Sequence, residues 1–407
     1  MYRPRLVDPL IRQLILELPA LLIVGPRAAG KTTTAARYAR TVVRLDREAE
    51  AVAFRADPDA ALRGLAEPVL LDEWQVVPGV LGAIKRAVDV DPRPGRFLVT
   101  GSVRGDVEGE LWPGTGRLTR VAMYGMTVGE QVGATTRPFL DRVVAGQALV
   151  GHPDRPDLRD YVDLLLRSGF PEPALRFGEP ARARWLDSYV EQLLTRDAEQ
   201  LDGGRDPARL RRYLEAFVLA TAGVVEDTML LQAAGIARKT ALAYERLLTN
   251  LLVVESLPAW TSNRLKRLLL RPKRFVVDAA VAAAAVRADA AAILRDGDLL
   301  GRLLETFVVS QIRAELAVTA ARPRLYHLRQ QEGRFEVDLV ADLGGGGLVG
   351  VEVKLTAAPS IADARHLVRL RDTLGDRFVR GVVLHTGPGS IELDERIVAA
   401  PISSLWA

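Results

Sequence analysis

The chain has 407 residues, 48% of them hydrophobic and 26% charged, with a net charge of +4. That balance allows a buried core and permits a nucleic-acid partner without demanding one. The absence of cysteine excludes disulfides and thiolate metal sites, and the four histidines (His152, His327, His366 and His385) show no ligand spacing. No apolar run approaches the ~20 residues of a membrane span, and no apolar stretch follows Met1-Tyr2-Arg3-Pro4-Arg5 as in a leader. The expectation is a cytoplasmic protein with no membrane partner, built from about two to four domains.

In residues 1–150, short apolar runs alternate with helical patterns, which predicts a parallel sheet with crossovers. Strands are expected at Leu21–Val24, Val42–Leu45, Val69–Leu71 and Phe97–Thr100. The first runs into Gly25-Pro26-Arg27-Ala28-Ala29-Gly30-Lys31-Thr32-Thr33, which contains G-x-x-x-x-G-K-[ST], the Walker A phosphate loop, between a strand and a helix start. Glycines at both ends let backbone N–H groups curl around phosphate oxygens. Lys31 would reach the β- and γ-phosphates, and the Thr32 hydroxyl would sit on Mg²⁺. ATP and Mg²⁺ are therefore the expected cofactors.

Val69-Leu70-Leu71-Asp72-Glu73 is an apolar strand ending in two carboxylates, the Walker B pattern. Asp72 would hold Mg²⁺ and Glu73 would polarise the attacking water. Charges at the tip of a buried strand are costly, so a structural excuse for the pair is weak. Thr100 or Ser102, closing the strand Phe97-Leu98-Val99-Thr100-Gly101-Ser102, would sense the γ-phosphate or orient the water. Arg117, after Gly116, is a candidate arginine finger acting in cis or from a neighbouring subunit of a homo-oligomer, and Arg120 competes with it.

Residues 151–205 open on Gly151-His152-Pro153-Asp154 and read as a helical connector, broken at Gly169-Phe170-Pro171-Glu172-Pro173. In residues 206–292, helices over Leu210–Ala222, Glu226–Ala234 and Arg238–Leu248 precede a strand, Leu251–Glu255. A basic loop with Arg264, Lys266 and Arg267 and a second strand, Leu268–Leu270, complete the layout of a winged helix. Arg238-Lys239-Thr240 and the basic loop suit DNA phosphates, although winged helices also bind proteins.

Residues 293–407 read as an α/β domain with helices at Leu299–Leu316 and Ile361–Leu374. Phe335–Val340 and Gly350–Leu355 alternate strictly around Gly344-Gly345-Gly346-Gly347. With the glycines at a hairpin tip, Asp338 falls across from Glu352 and Val337 across from Val353, and Lys354 shares the face of Glu352. Alternatively, Glu336 and Lys354 form an ordinary cross-strand pair.

These motifs in this order resemble prokaryotic AAA-type ATPases whose C-terminal half carries a domain of unknown function. The resemblance rests on Leu71-Asp72-Glu73-Trp74-Gln75, Leu98-Val99-Thr100-Gly101-Ser102, Gly116-Arg117 and Gly129-Glu130. It continues through Gly169-Phe170-Pro171-Glu172, Thr195-Arg196-Asp197, Pro272–Asp278, Glu336-Val337-Asp338 and Val351-Glu352-Val353-Lys354. One departure is Ala122-Met123-Tyr124-Gly125-Met126-Thr127, where the family carries an apolar-proline stretch. The last strand pair resembles the PD-(D/E)xK nuclease-like fold. That resemblance implies a metal site of Asp338, Glu352 and Glu305, with Lys354 assisting the attacking water.

The sequence reading is thus a multidomain α/β protein. It has an N-terminal P-loop ATPase domain with a parallel sheet, a helical connector, a winged helix and a C-terminal restriction-endonuclease-like domain at 293–407. The expected function is an ATP-driven, Mg²⁺-dependent switch on DNA with a metal-dependent nuclease domain. The alternative is a regulator of a protein or DNA partner whose nuclease-like domain does not cleave. A nucleotide sensor without turnover is disfavoured by Asp72-Glu73.

Overall fold

A computed structural model describes residues 2–102, 115–134, 136–197, 206–330 and 333–407. The side chains of Arg196, Asp197, Arg264 and Lys266, and the connector residues 198–205, lie outside the described ones. Two compact units are present: Met1–Met126 with Leu248–Leu252, and Thr127–Leu247 with Val253–Ala407. Among the described residues no helix is long and apolar enough to cross a membrane.

The first unit is built on a parallel sheet of β1 (Ala20–Val24), β2 (Thr41–Arg44), β3 (Val69–Asp72), β4 (Phe97–Gly101) and β5 (Thr119–Ala122). The spatial order is β2-β3-β4-β1-β5. Strands β1, β3 and β4 are buried at every position. That is why they read as unbroken apolar runs: a parallel sheet is covered on both faces. The edge strands β2 and β5 are half exposed and mix polar with apolar residues. Strand β5 was not expected, because Thr-Arg-Val-Ala carries too little apolar pattern. The helix Gly79–Val90 buries Val80, Leu81, Ile84 and Val88 at helical spacing, and these join Leu22, Val24, Leu71 and Val99 in one core. With β1 between β4 and β5, and β3 beside β4, the carboxyl ends of β1, β3 and β4 lie side by side.

In the second unit, short helices precede the helices Pro207–Leu219, Asp227–Ala234 and Arg238–Asn250 and an antiparallel pair, β6 (Val254–Leu257) with β7 (Lys273–Val276). The expected strand Leu268–Leu270 is not one. Arg264–Arg267 form a helical turn, and Leu265, Leu268 and Leu269 are exposed. The ladder partner is Lys273–Val276, which hides as a strand because two of its four residues are charged yet buried. Arg274 reaches Asp227 at 2.6 Å and Glu245 at 3.3 Å; Lys273 turns the other way.

Strands β8 (Arg324–Gln330), β9 (Phe335–Asp342), β10 (Leu348–Lys354), β11 (Phe378–His385), β12 (Ile391–Asp394) and β13 (Ile397–Pro401) form a mixed sheet. Its order is β12-β13-β11-β10-β9-β8. The β9–β10 hairpin turns at Leu343–Gly347, with Gly344 and Gly346 at φ 82° and 96°, a region open to glycine at little cost. Its pairs Leu348–Asp342 to Val351–Leu339 keep the register expected from the alternation. The parallel crossover from β10 to β11 runs through the helix Arg365–Leu374, whose Leu367 and Leu370 join Val337, Leu348 and Val383 in the core.

Several sequence motifs prove to be joints of this unit. Thr127 and Glu130 form a reciprocal capping box, Glu130 N–H to Thr127 Oγ1 at 3.1 Å and Thr127 N–H to Glu130 at 2.8 Å. Asp278 accepts from Ala280 N and Val281 N on one side and from Ser168 Oγ and Gly169 N on the other. It thereby ties the Gly169-Phe170-Pro171 break to the helix Ala279–Ala285.

The helix Gly297–Glu315 does the same for the helices Val128–Val132 and Phe139–Val144. Gln311 accepts from Val128 N at 2.8 Å and Glu315 from Phe139 N at 2.7 Å. Burial pushes the Glu315 carboxyl up to about 8, against the pull of the Phe139 N–H and Arg142. A carboxyl raised in the fold contributes stability that is full below its unfolded pKa and is lost as pH rises through the folded one. Glu315→Gln keeps an oxygen for Phe139 and removes the titration. Its unfolding midpoint should fall less than the wild type's between about pH 5 and pH 8, as measured by chemical denaturation; equal slopes would contradict this.

Candidate nucleotide site and the C-terminal carboxylate cluster

The phosphate loop follows β1 directly. A side chain at Gly25 would stand 1.8 Å from the Met123 carbonyl oxygen, so only glycine lets the loop leave the strand here. Ala28 and Gly30 have φ of 62° and 91°, and these two turns fold the loop back before Lys31. The Lys31 ammonium, 4% exposed, donates to the Pro26 carbonyl at 2.7 Å and to Ser102 Oγ at 3.2 Å. Burial pulls its pKa down to about 8; Glu73 and Asp72 push it back up, and Arg27 opposes them.

The other strand ends complete the site. Thr32 Oγ1 donates to Asp72 Oδ1 at 2.7 Å, and Thr100 Oγ1 donates to the same oxygen. Ser102 Oγ donates to Glu73 at 3.2 Å, and Gln75 holds the second Glu73 oxygen. Glu73 sits at φ 56°, a left-handed conformation that costs a non-glycine residue about 1–3 kcal/mol. Gly101 is needed because a Cβ there would meet the Trp74 indole nitrogen at 2.3 Å.

The structure thus brings Lys31, Thr32, Asp72, Glu73 and Thr100 together at the strand ends. Gly25, Pro26, Arg27, Ala28, Ala29, Gly30 and Thr33 form the loop around them. The residues fit a nucleotide with its divalent ion: an under-neutralised ammonium beside a hydroxyl and a carboxylate is the donor set such a ligand requires.

Arg117 stands apart from these groups. Its guanidinium pairs with Asp89 of the helix Gly79–Val90, and Asp89 also holds Lys85 at 2.9 Å.

The sequence did not point to Arg5. Its buried guanidinium donates to the Ala29 carbonyl of the loop at 2.7 Å and to the Tyr124 carbonyl at 2.8 Å. The Arg5 N–H is held by Asp8 at 2.8 Å, which Tyr2 and Tyr38 also contact. A lone arginine ahead of a helix carries no pattern that would flag it.

In the C-terminal sheet, Asp338, Glu352 and Glu305 do not stand as a bare ligand set, and among the described residues no such group of three is placed to hold a metal ion. A buried lysine stands beside two of them. Lys273 Nζ lies 2.6 Å from Glu305, 3.0 Å from Asp338 and 3.8 Å from Glu336. Asp338 also accepts the Val353 N–H at 3.0 Å. Burial alone would raise the Asp338 carboxyl, but Lys273, that N–H and Lys354 hold it below its ordinary value. Burial would lower Lys273, and Asp338 and Glu305 reverse this and hold it above the usual lysine range. Burial and the Asp338 charge push Glu305 up to about 8. Lys354 pairs with Glu352 at 2.5 Å. Its expected cross-strand alternative, Glu336, faces Lys273 and Arg329 instead.

Lys273, like Arg5, is a residue that sequence reasoning missed. The signal was a Lys-Arg pair leading into the apolar run Phe275-Val276-Val277: a buried ammonium needs carboxylates, and the β9–β10 face supplies them.

The nucleotide site makes a pH-dependent prediction. Phosphate oxygens favour the charged form of Lys31, so ATP binding above pH 8 takes up a proton. Apparent ATP affinity should fall as pH rises past 8, approaching tenfold per pH unit. The binding heat at about pH 8.5 should shift with the ionisation enthalpy of the buffer. Calorimetry in two buffers checks this, and an affinity flat to about pH 9.5 would contradict it.

Residues 17–132 match the family described as AAA domain. Residues 158–292 and 300–405 match two families each described as a domain of unknown function, DUF8612 and DUF4143. An uncharacterised protein of Mycobacterium bovis and one of Mycobacterium tuberculosis are each 29% identical over 400 residues, covering 97% of this chain and 82% of theirs. A Walker-type ATPase of Pyrococcus abyssi aligns over 68% of this chain and 94% of its own, with 15% identity and a TM-score of 0.42, a likeness too loose to carry an argument. The residues matched by the AAA family, 17–132, include the phosphate loop and the strand ending in Asp72-Glu73.

Proposed function

We propose that this protein is a Mg²⁺-dependent ATPase whose nucleotide state acts as a switch on a partner held by the rest of the chain. The observation that carries the reading is the convergence at the strand ends of two hydrogen-bonded sets, Lys31–Ser102–Glu73 and Thr32–Asp72–Thr100, with both carboxylates acting on the Lys31 charge. Lys31 would hold the phosphates. Thr32 and Asp72 would hold Mg²⁺, which draws charge off the phosphate oxygens when bound. Glu73, oriented by Ser102 and Gln75, would accept a proton from water as it attacks, and Thr100 would fix the Asp72 carboxylate. Arg117 serves as the finger by leaving Asp89; an exposed ion pair of this kind holds it weakly.

The partner reading favours DNA. Its support is that Arg238 and Lys239 are exposed at the start of the helix Arg238–Asn250, where phosphate contacts are commonly made. Arg267 is committed elsewhere: it donates to the Thr261 carbonyl at 2.6 Å, pairs with Asp342 and lies over Trp260 and Tyr326. The division into an ATPase domain (1–150), connector (151–205), winged helix (206–292) and nuclease-like domain (293–407) belongs to the same proposal. For the last part, the Lys273 contacts favour the alternative in which the domain does not cleave.

Lys31→Ala should abolish ATP binding, because the cation for the phosphates is lost. Glu73→Gln should keep binding and lower turnover by about 10²-fold or more. Phosphate release and nucleotide binding measured on both variants test this; normal turnover by Glu73→Gln removes that residue from the mechanism. DNA affinity should fall steeply with salt and weaken further in Arg238→Ala/Lys239→Ala; binding indifferent to both points to a protein partner.

A further inference from the structure

We infer that the outward face of the helix Arg238–Asn250 enters the major groove of duplex DNA, with Arg238, Lys239 and Arg246 on phosphates and Leu242 against a thymine methyl. The inference rests on the DNA reading proposed above, and it names the groove and the residues that meet it.

The helix has two distinct faces. Ala241, Tyr244, Leu247 and Leu248 are buried, at the spacing that places them on one side. Arg238, Lys239, Leu242 and Arg246 are exposed. Arg238, Leu242 and Arg246 recur at every fourth residue, so they form one stripe. At about 1.5 Å per residue the stripe is about 12 Å long. The major groove is about 12 Å wide and admits a helix.

Charge is sorted in this part of the chain. Residues 220–250 hold three acids, Glu226, Asp227 and Glu245, and three bases, Arg238, Lys239 and Arg246. Each acid is taken by a cation from in or beside β7. Arg271 holds Glu226 at 2.7 Å, and the buried Arg274 holds Asp227 at 2.6 Å and Glu245 at 3.3 Å. Among the described residues, none of the three bases has an ion pair or a side-chain hydrogen bond. Arg274 therefore neutralises two carboxylates that would repel phosphate, and the outward stripe keeps its positive charge. A polyanion is the partner that such a face complements.

Leu242 narrows the kind of polyanion. Its side chain, 46% exposed, stands between Arg238 and Arg246 on the stripe. In the major groove of DNA the apolar group that suits it is the C5-methyl of thymine. The deep, narrow major groove of an RNA duplex does not admit side chains, and uracil lacks that methyl.

The test follows fluorescence anisotropy of three labelled duplexes of equal length with the full chain over a series of salt concentrations. The duplexes are alternating dA-dT, alternating dA-dU and alternating A-U in RNA. The first two differ only by the thymine methyl, which lies in the major groove. The wild type should bind the dA-dT duplex about fourfold more tightly than the dA-dU duplex, and the RNA most weakly. Leu242→Ala should bring the two DNA affinities together. Arg246→Ala should weaken both DNA duplexes alike and reduce the slope of log affinity against log salt by about 1. Both positions are exposed, and unchanged thermal midpoints check that the variants are folded. DNA binding that ignores the thymine methyl, or that keeps its salt slope in Arg246→Ala, would overturn the inference and leave the DNA reading standing. Tighter binding to the RNA duplex would overturn it as well. No binding to any duplex would remove the DNA reading together with the inference.

Discussion

Burying an ammonium ion removes its hydration, and the fold must replace it with oxygen atoms of opposite charge or suitable dipole. Two lysines in this chain meet that requirement with opposite results. Lys31 has a carbonyl and a hydroxyl within bonding distance, and its carboxylates act from further off. Its charge is under-compensated, and its pKa drops to about 8. Lys273 has two carboxylates in contact and a third nearby, and its charge is held above the ordinary lysine range. On the proposed reading, the first ammonium is poised for an incoming anion. The second has already found its anions inside the chain.

The difference originates in backbone geometry. Lys31 sits where a parallel sheet delivers three strand ends to one place, and only small or left-handed residues let the chain turn there. Gly25, Gly30 and Gly101 supply the room, and Glu73 accepts a strained conformation. Arg5 braces the loop from outside by taking the Ala29 and Tyr124 carbonyls, so the loop's shape is set before any ligand arrives. Lys273 sits on an antiparallel hairpin between a long helix and a mixed sheet, where opposing charges can be packed permanently.

The candidate nucleotide site was legible in the sequence because its pattern is local. Gly25–Thr32 and Asp72-Glu73 carry their spacing with them, and β1, β3 and β4 announce themselves as apolar runs. The β9–β10 register was legible too, since alternation and a glycine turn fix it. What escaped is what depends on long-range contacts. Lys273 and Arg274 conceal β7 because they are buried through ion pairs with residues far along the chain, and Leu268–Leu270 imitated a strand while exposing all three leucines. Strand β5 and Arg5 are defined only by the neighbours they reach. Gly169-Phe170-Pro171 and Asp278 read as separate motifs, yet they form one joint.

The central claim is the proposal that Lys31, a buried cation held by the Pro26 carbonyl and Ser102, is there to take nucleotide phosphate. A crystal structure with Mg²⁺ and a non-hydrolysable ATP analogue measures this most directly. The account predicts that the Lys31 ammonium leaves the Pro26 carbonyl and Ser102 for the β- and γ-phosphate oxygens, with the ion on Thr32 and near Asp72. A nucleotide bound elsewhere, with Lys31 still on Pro26 and Ser102, would contradict it.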